Sequence, residues 1–436
     1  MEKVAFHTLG CKVNTYDTET LAEIFEKEGY SIVDFEDRAD VYVINTCTVT
    51  NLGDRKSRQM IRKAKKTNKN SIIVVAGCYA QTSPEEVMGI PEVNLVIGNK
   101  DRKNIVKLVN MIKDKSEDKI NAVEDIMKER DFEDLTVYEI RGKTRGFIKI
   151  QEGCNQFCSY CIIPYARGPI RSRPPGSVIK EVENLIKAGY KEVVLTGIHV
   201  ASYGKDTGNI SLIELMENIN KLRGLKRIRL SSLEPTLLTS NFLERLAELD
   251  KFCPHFHVSL QSGSDTILKA MKRKYTTEEY SQFIDNIRMY FPQASITTDI
   301  MVGFPGEGDK EFKETYDFAK SIGFSKIHVF KYSPRRGTPA FKYPNQVNGN
   351  IKEERSKELI ALADEQEKLF YKKFIGSTAK VLFEQNLGKN NNIYEGLTDN
   401  YIRVLCDNKE DVKGKILPVT LERIGMGHME GRIINS

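Results

Sequence analysis

No apolar run in these 436 residues is long enough to cross a bilayer. The longest, Ile72 to Ala80, reaches about half of what a spanning helix needs. The opening Met1-Glu2-Lys3 leads straight into a strand-like Val4-Ala5-Phe6, without the apolar segment or small-residue cleavage site of a secretory signal. These absences predict a cytoplasmic chain with no membrane span. Nor does one sign of charge dominate: 66 basic against 60 acidic residues leave +6, too little over this length to name a partner. Apolar residues, at 40%, are too many for wholesale disorder, and the length suits about three domains.

The charge that is present is clustered. Between Arg55 and Lys69 eight basic residues stand with no acidic one, and from Arg141 to Arg173 seven stand against Glu152 alone. Both stretches are candidate phosphate-contacting patches, although a solvated face explains either run equally well.

Three segments of the first hundred residues share one form, a β-rich apolar run ending in cysteine: Val4 to Cys11, Asp40 to Cys47 and Ser71 to Cys78. Helical periodicity fills the gaps, with Leu21, Ile24 and Phe25 on one face and Met60, Ile61 and Ala64 on another. Alternating strands and helices predict a parallel α/β sheet, in which loops leaving the strands share one edge, so the three cysteines are expected to converge. A charge-dense stretch, 114–139, reads as a linker or peripheral helix between a first domain, 1–113, and a second, 140–372. That second unit carries six strand-like runs, starting near Gly146, Glu192, Arg227, His255, Ser295 and Ser325, with helical patterns between them. Six such repeats predict a partial (βα)6 barrel whose active face lies at the strand C-terminal ends. An amphipathic helix near 351–374 connects it to residues 373–436, where short alternating runs separated by Gly and Asn predict a small β-barrel.

Eight cysteines in a cytoplasmic chain are better read as ligands or reactive groups than as disulfides. Cys154, Cys158 and Cys161 form a C-x3-C-x2-C loop directly after a strand. Three thiolates so spaced can each hold one iron of a 4Fe-4S cube and leave the fourth iron open. Structural zinc stays an alternative, but it wants a fourth ligand, and the nearest Cys or His, His199 and Cys253, are distant in sequence.

That loop, with Gly303-Phe304-Pro305-Gly306-Glu307 after a later strand, resembles the radical S-adenosylmethionine superfamily. Leu9-Gly10-Cys11-Lys12-Val13-Asn14, Asn45-Thr46-Cys47-Thr48-Val49-Thr50 and Gly77-Cys78-Tyr79-Ala80-Gln81 resemble the three-cysteine signature of its methylthiotransferase family. The superfamily's usual Gly-Gly-Glu is replaced by Thr196-Gly197-Ile198-His199, as in that family. Tyr165 to Gly168 and Ser259 to Ser264 extend the likeness over nearly the whole chain. Cys11 to Asn14, Thr48 to Thr50 and Asp54 to Arg58 are most similar to the subgroup acting on N6-threonylcarbamoyladenosine next to the tRNA anticodon.

The resemblance implies two 4Fe-4S clusters, one on Cys11, Cys47 and Cys78 and one on Cys154, Cys158 and Cys161. It implies S-adenosylmethionine as cofactor, an electron donor of the reductase or flavodoxin type, the tRNA anticodon stem-loop as partner, and a TRAM-like, RNA-holding C-terminal β-barrel. The sulfur donor is not implied. Thr196, Gly197, Ser259, Gln261, Asp299 and Gly303, at strand ends, become candidates for cofactor contacts, and Arg55, Lys56, Arg58, Arg167, Arg171 and Arg173, flanking the cysteine loops, for RNA phosphate contacts. Lys373 and Arg403 are weaker RNA candidates. Cys253 and Cys406 read as buried thiols, and His7, His255, His257 and His328 as packed side chains. The rivals are methylthiolation of another tRNA adenosine or of a ribosomal protein and, in another class, a non-catalytic iron-sulfur or zinc RNA-binding protein.

Overall fold

The computed structural model describes residues 1–137, 141–388 and 392–434. The first unit is built on β1 (Lys3–Thr8), β2 (Ser31–Val33), β3 (Val41–Thr46), β4 (Ile72–Gly77), β5 (Leu95–Ile97) and β6 (Ile120–Ala122), all parallel, in the order β2-β1-β3-β4-β5-β6. The central strands β3 and β4 read VYVINT and IIVVAG because helices cover both faces. These helices are α1 (Lys12–Lys27), α2 (Asn51–Thr67), α3 (Cys78–Thr82), α4 (Pro84–Met88) and α5 (Ile105–Lys113). One layer packs Leu21, Phe25, Val43 and Val74, the other Tyr42, Ile44, Ile61 and Ile73. The stretch expected to be a linker or helix instead supplies β6 to this sheet, and Ile126 and Val137 from it are buried. Its residues 138–139 lie outside the described residues.

The second unit holds the parallel strands β7 (Arg145–Glu152), β9 (Glu192–Gly197), β10 (Arg227–Leu230), β11 (His255–His257), β12 (Ser295–Val302) and β13 (Lys326–Lys331), with β8 (Arg171–Ser172) as a short antiparallel neighbour of β7. The hydrogen-bonded ladders form two groups, β10-β9-β7-β8 and β11-β12-β13, joined by isolated bridges such as Leu233 to Val258. This is the open six-strand barrel that the sequence predicts. β11 stops three residues short of its predicted end at Leu260; beyond it the pairing continues only as isolated bridges at Val258 and at Gln261, whose φ is +70°. The helices between are α6 (Ile163–Arg167), α7 (Pro175–Lys187), α8 (Leu212–Asn220), α9 (Ser240–Ala247), α10 (Asp265–Ala270), α11 (Thr277–Tyr290) and α12 (Asp309–Ile322), and α13 (Gly349–Lys372) leads out of the unit.

The C-terminal unit is a closed barrel of β14 (Thr378–Asn386), β15 (Ile393–Thr398), β16 (Arg403–Asp407), β17 (Ile416–Ile424) and β18 (Met429–Ile433). Its inward Val381, Phe383, Val404, Val419 and Leu421 are fully buried, while Phe370 and Tyr371 of α13 pack against it. It sits against the strand starts of the second unit. Arg227 and Arg229 donate to the carbonyls of Leu397, Lys380, Asp399 and Thr398 at 2.6–3.2 Å, and Arg145 pairs with Glu384 at 2.6 Å.

Candidate active site

Cys11 caps the start of α1 just past β1, Cys47 follows β3, and Cys78 opens α3 directly after β4. Since β1, β3 and β4 are sheet neighbours running in one direction, the three thiols reach one edge. Gly10 makes the approach possible: its φ is +115°, and a Cβ there would stand 3.3 Å from Cys47 Sγ. Asn14 ties two of the loops together, its Nδ2 donating to the carbonyls of Leu9 at 2.6 Å and Thr46 at 2.9 Å. Burial pushes the Cys78 thiol up to about 11, opposed by Arg167 and reinforced by Cys11 and Cys47 close by. Arg167 Nε donates to Cys78 Sγ at 3.2 Å.

Arg167 is also the hub of a buried charge cluster between the first two units. It pairs with Asp17 at 2.8 Å and with Glu152 at 3.2 Å, and its Nη2 donates to Asn14. Lys149 holds the same two carboxylates at 2.6 and 3.0 Å, while Arg102 pairs with Asp17 at 2.7 Å and Glu133 at 2.8 Å. Three cations face three carboxylates, which is how so many charges tolerate the interior. Burial favours the neutral acid, yet Arg167 and Lys149 outweigh it and hold Glu152 at about 2. This contribution is complete above the ordinary glutamate value and disappears as pH falls toward 2. A urea series from pH 6 to pH 3 should therefore show the midpoint falling through the lower half of that range, and falling less in Glu152→Gln.

The second cysteine loop leaves β7. Gly153, with φ +73°, lies so close to the returning chain that a Cβ would sit 1.8 Å from the Pro169 carbonyl oxygen, so only glycine fits. Cys154 N–H donates to the Gly168 carbonyl at 3.0 Å and Cys161 N–H to the Cys158 carbonyl at 3.0 Å, which closes the loop on itself. Burial raises the Cys154 thiol to about 11 and the Cys161 thiol to about 12, with Cys158 adding to both. Arg273 Nη1 donates to Cys158 Sγ at 3.5 Å, and its Nη2 meets both Glu234 oxygens at 3.0 Å. Glu234 in turn lies 3.7 Å from His199 Nε2.

Helix α6 spans the distance between the two sites: it starts two residues after Cys161 and ends at Arg167, on the Cys78 sulfur. All eight cysteines are free thiols, with Cys253 and Cys406 buried apart from both groups. Among the described residues no three His, Cys, Asp or Glu side chains close on a single metal ion. A 4Fe-4S cube spreads its three thiolates over separate irons and asks for no such closure.

The other expected residues divide. Thr196 and Gly197 end β9, with Gly197 against the Gln151 side chain. The Gln261 N–H donates to the Asp299 carbonyl at 2.8 Å, and the Asp299 carboxylate meets His257 Nε2 at 3.1 Å. The Ser259 carbonyl accepts from Tyr275 Oη at 2.8 Å and from Arg273. Gly303 N–H donates to Glu307, and Lys352 of α13 covers its Cα. On α2, Arg55 and Lys56 are exposed, whereas Arg58 bonds Tyr79 Oη at 2.9 Å and Glu86 at 3.2 Å.

Arg167, Arg171 and Arg173 are a correction. All three are buried and so cannot meet RNA phosphates. Arg167 serves the cluster above, Arg171 donates to the Pro169 carbonyl, and Arg173 pairs with Glu181 and Asp134 at 2.7 Å. Their carboxylate partners are recruited largely from remote parts of the chain, which a local charge count does not register. Arg273, Glu234, His199 and Asp17 were missed as well. Only His199 lay inside a motif, and Arg273 and Glu234 carry no local signal.

Two family models match this chain: one described as the radical SAM superfamily over residues 148–319, the other as uncharacterized protein family UPF0004 over 3–98. Curated relatives align along its whole length. It is 46% identical to the threonylcarbamoyladenosine tRNA methylthiotransferase MtaB of Bacillus subtilis (strain 168), covering 100% of this chain and 97% of that one. The MtaB of Aquifex aeolicus (strain VF5) is 42% identical over 96% of this chain and 100% of its own. A tRNA-2-methylthio-N(6)-dimethylallyladenosine synthase of Dictyoglomus thermophilum is 36% identical over 100% of this chain and 99% of its own. Among solved structures, the radical S-adenosylmethionine methyltransferase TsrM of Kitasatospora setae, with cobalamin and a [4Fe-4S] cluster bound, superimposes with a TM-score of 0.60 at 18% identity, covering 78% of this chain and 77% of that one.

Proposed function

Because the chain belongs to the methylthiotransferase family of radical S-adenosylmethionine enzymes, we propose that it attaches a methylthio group to the purine ring of N6-threonylcarbamoyladenosine beside the tRNA anticodon. It is a radical SAM tRNA methylthiotransferase that uses two 4Fe-4S clusters and S-adenosylmethionine. When bound, these groups supply the one-electron chemistry and the methyl group that the side chains lack. Cys154, Cys158 and Cys161 would hold one cluster, and Cys11, Cys47 and Cys78 the other. Arg273 would fix Cys158, Arg167 would fix Cys78, and α6 would set the spacing between the two. Thr196 and Gly197 at the end of β9, Ser259 and Gln261 just past β11, and Asp299 within β12 would orient the cofactor, together with the Gly303 turn.

The observation that carries this reading is Arg167, which follows one cysteine loop in the chain and donates to a sulfur of the other trio. Arg55 and Lys56 on α2 and the C-terminal barrel, as a TRAM-like module, would hold the anticodon stem-loop. A reductase or flavodoxin-type donor would deliver electrons, and the reaction would run in the cytoplasm. No described helix is long and apolar enough to cross a membrane.

Nucleoside mass spectrometry of tRNA from a deletion strain tests the reading. The 2-methylthio form of threonylcarbamoyladenosine should vanish while its unmodified precursor accumulates. An unchanged level of that nucleoside, or loss of the isopentenyl counterpart instead, overturns it.

A further inference from the structure

Four aromatic side chains are exposed among the described residues, Phe157, Tyr165, Phe330 and Phe341, and three of them gather in one place. Tyr165 and Phe341 line a cleft of about 910 Å³ between the first two units, and Phe157 meets Tyr165 edge-on with ring centroids 5.8 Å apart. Single exposed rings are ordinary on a protein surface, whereas rings grouped around one concavity mark a surface that receives a partner. Tyr165, 40% exposed, is the one exposed side chain of α6.

The charges of the cleft leave one cation over. Arg335 pairs with Asp54 at 2.7 Å and Arg58 with Glu86 at 3.2 Å. Arg336, next along the wall, is exposed and makes no ion pair among the described residues. Open ring faces beside a spare guanidinium suit an unpaired nucleotide, whose base stacks on the ring while its phosphate meets the cation. The place of Tyr165 says which nucleotide. Helix α6 starts two residues after Cys161 and ends on the Cys78 sulfur, so its middle stands between the two cysteine trios. A base stacked there belongs to a close neighbour of the nucleotide that reacts.

We propose that Tyr165, buttressed by Phe157, stacks an unpaired base flanking the target adenosine while Arg336 receives a phosphate of the same strand, so that the adenosine is drawn out of the anticodon-loop stack. This rests on the function proposed above, which supplies a single-stranded loop as substrate.

The test uses the reconstituted full-length enzyme, anaerobic fluorescence anisotropy, and three labelled anticodon stem-loops carrying threonylcarbamoyladenosine: one intact, one abasic on the 5′ side of the target and one abasic on its 3′ side. The wild type should bind one of the two abasic RNAs about tenfold more weakly than the intact RNA, the size of one base–aromatic stack. Tyr165→Ala should bind the intact RNA about tenfold more weakly and no longer distinguish it from that abasic one, and Tyr165→Phe should keep the wild-type pattern. Arg336→Gln should keep the abasic penalty but lower the slope of log affinity against log salt by about 0.7, one single-strand phosphate. If Tyr165→Ala loads less iron than the wild type, the abasic penalty of the wild type and the salt slope of Arg336→Gln decide. A full abasic penalty in iron-loaded Tyr165→Ala, or an unaltered slope in Arg336→Gln, overturns the proposal. RNA binding unchanged in both variants does so too, and a raised half-saturation for a flavodoxin in them would assign the cleft to the electron donor. A wild type that methylthiolates the intact RNA yet penalises neither abasic RNA overturns it and leaves the proposed function standing. A wild type that neither binds nor modifies the intact RNA overturns both.

Discussion

Cys158→Ala is expected to abolish reductive cleavage of S-adenosylmethionine altogether, whereas Cys11→Ala is expected to retain it and lose only methylthiolation. The asymmetry follows from where the two trios sit. Cys158 lies on the loop leaving β7, with Arg273 on its sulfur, next to the strand ends that border the proposed cofactor site. Cys11 belongs to the other sheet, beyond α6. High-performance liquid chromatography of 5′-deoxyadenosine and of the modified nucleoside from the same anaerobic reaction reads both outcomes. Equal loss of cleavage in the two variants would mean that the trios do not hold separate centres.

Replacing Arg167 by methionine is expected to cost about 3–5 kcal/mol of stability, the usual penalty for removing one member of a buried ion network. Its methylenes would be replaced by similar apolar volume, so the loss is electrostatic. Three cations facing Asp17, Glu152 and Glu133 become two, and a net negative charge stays in the interior. The Cys78 sulfur loses its donor at the same time. Urea unfolding of the iron-free protein should show the lower midpoint, and reconstitution should return about half the iron of the wild type, the other trio still loading. Arg167→Lys should recover part of the stability, since it restores the charge without the fork that reaches Asp17, Glu152, Asn14 and Cys78 together. A stability equal to wild type in Arg167→Met would refute the proposed role of this cluster in joining the two units.

Much of this architecture is written locally in the chain. Apolar runs such as IIVVAG announce buried parallel strands, and their regular separation by helical patterns places the following cysteines on one edge whatever the rest of the molecule does. The C-terminal barrel is legible for the same reason, because alternation and turn residues are short-range signals. Charge partners are not. Arg167 and Asp17 are 150 positions apart, and Arg173 and Asp134 are 39 apart, so the basic run that holds both arginines looks like a surface from the sequence and is an interior in the fold. The stretch ending near Val137 misleads in the same way. Its charges suggest solvent, yet a three-residue strand suffices to add it to the sheet edge.

The central claim is that this chain holds two separate cubic clusters, one on each cysteine trio. Iron and acid-labile sulfide analysis after anaerobic reconstitution tests it directly: about eight of each per chain are predicted, falling to about four when Cys11, Cys47 and Cys78 are replaced together. About four in the unaltered protein, or zinc in place of iron, would contradict it.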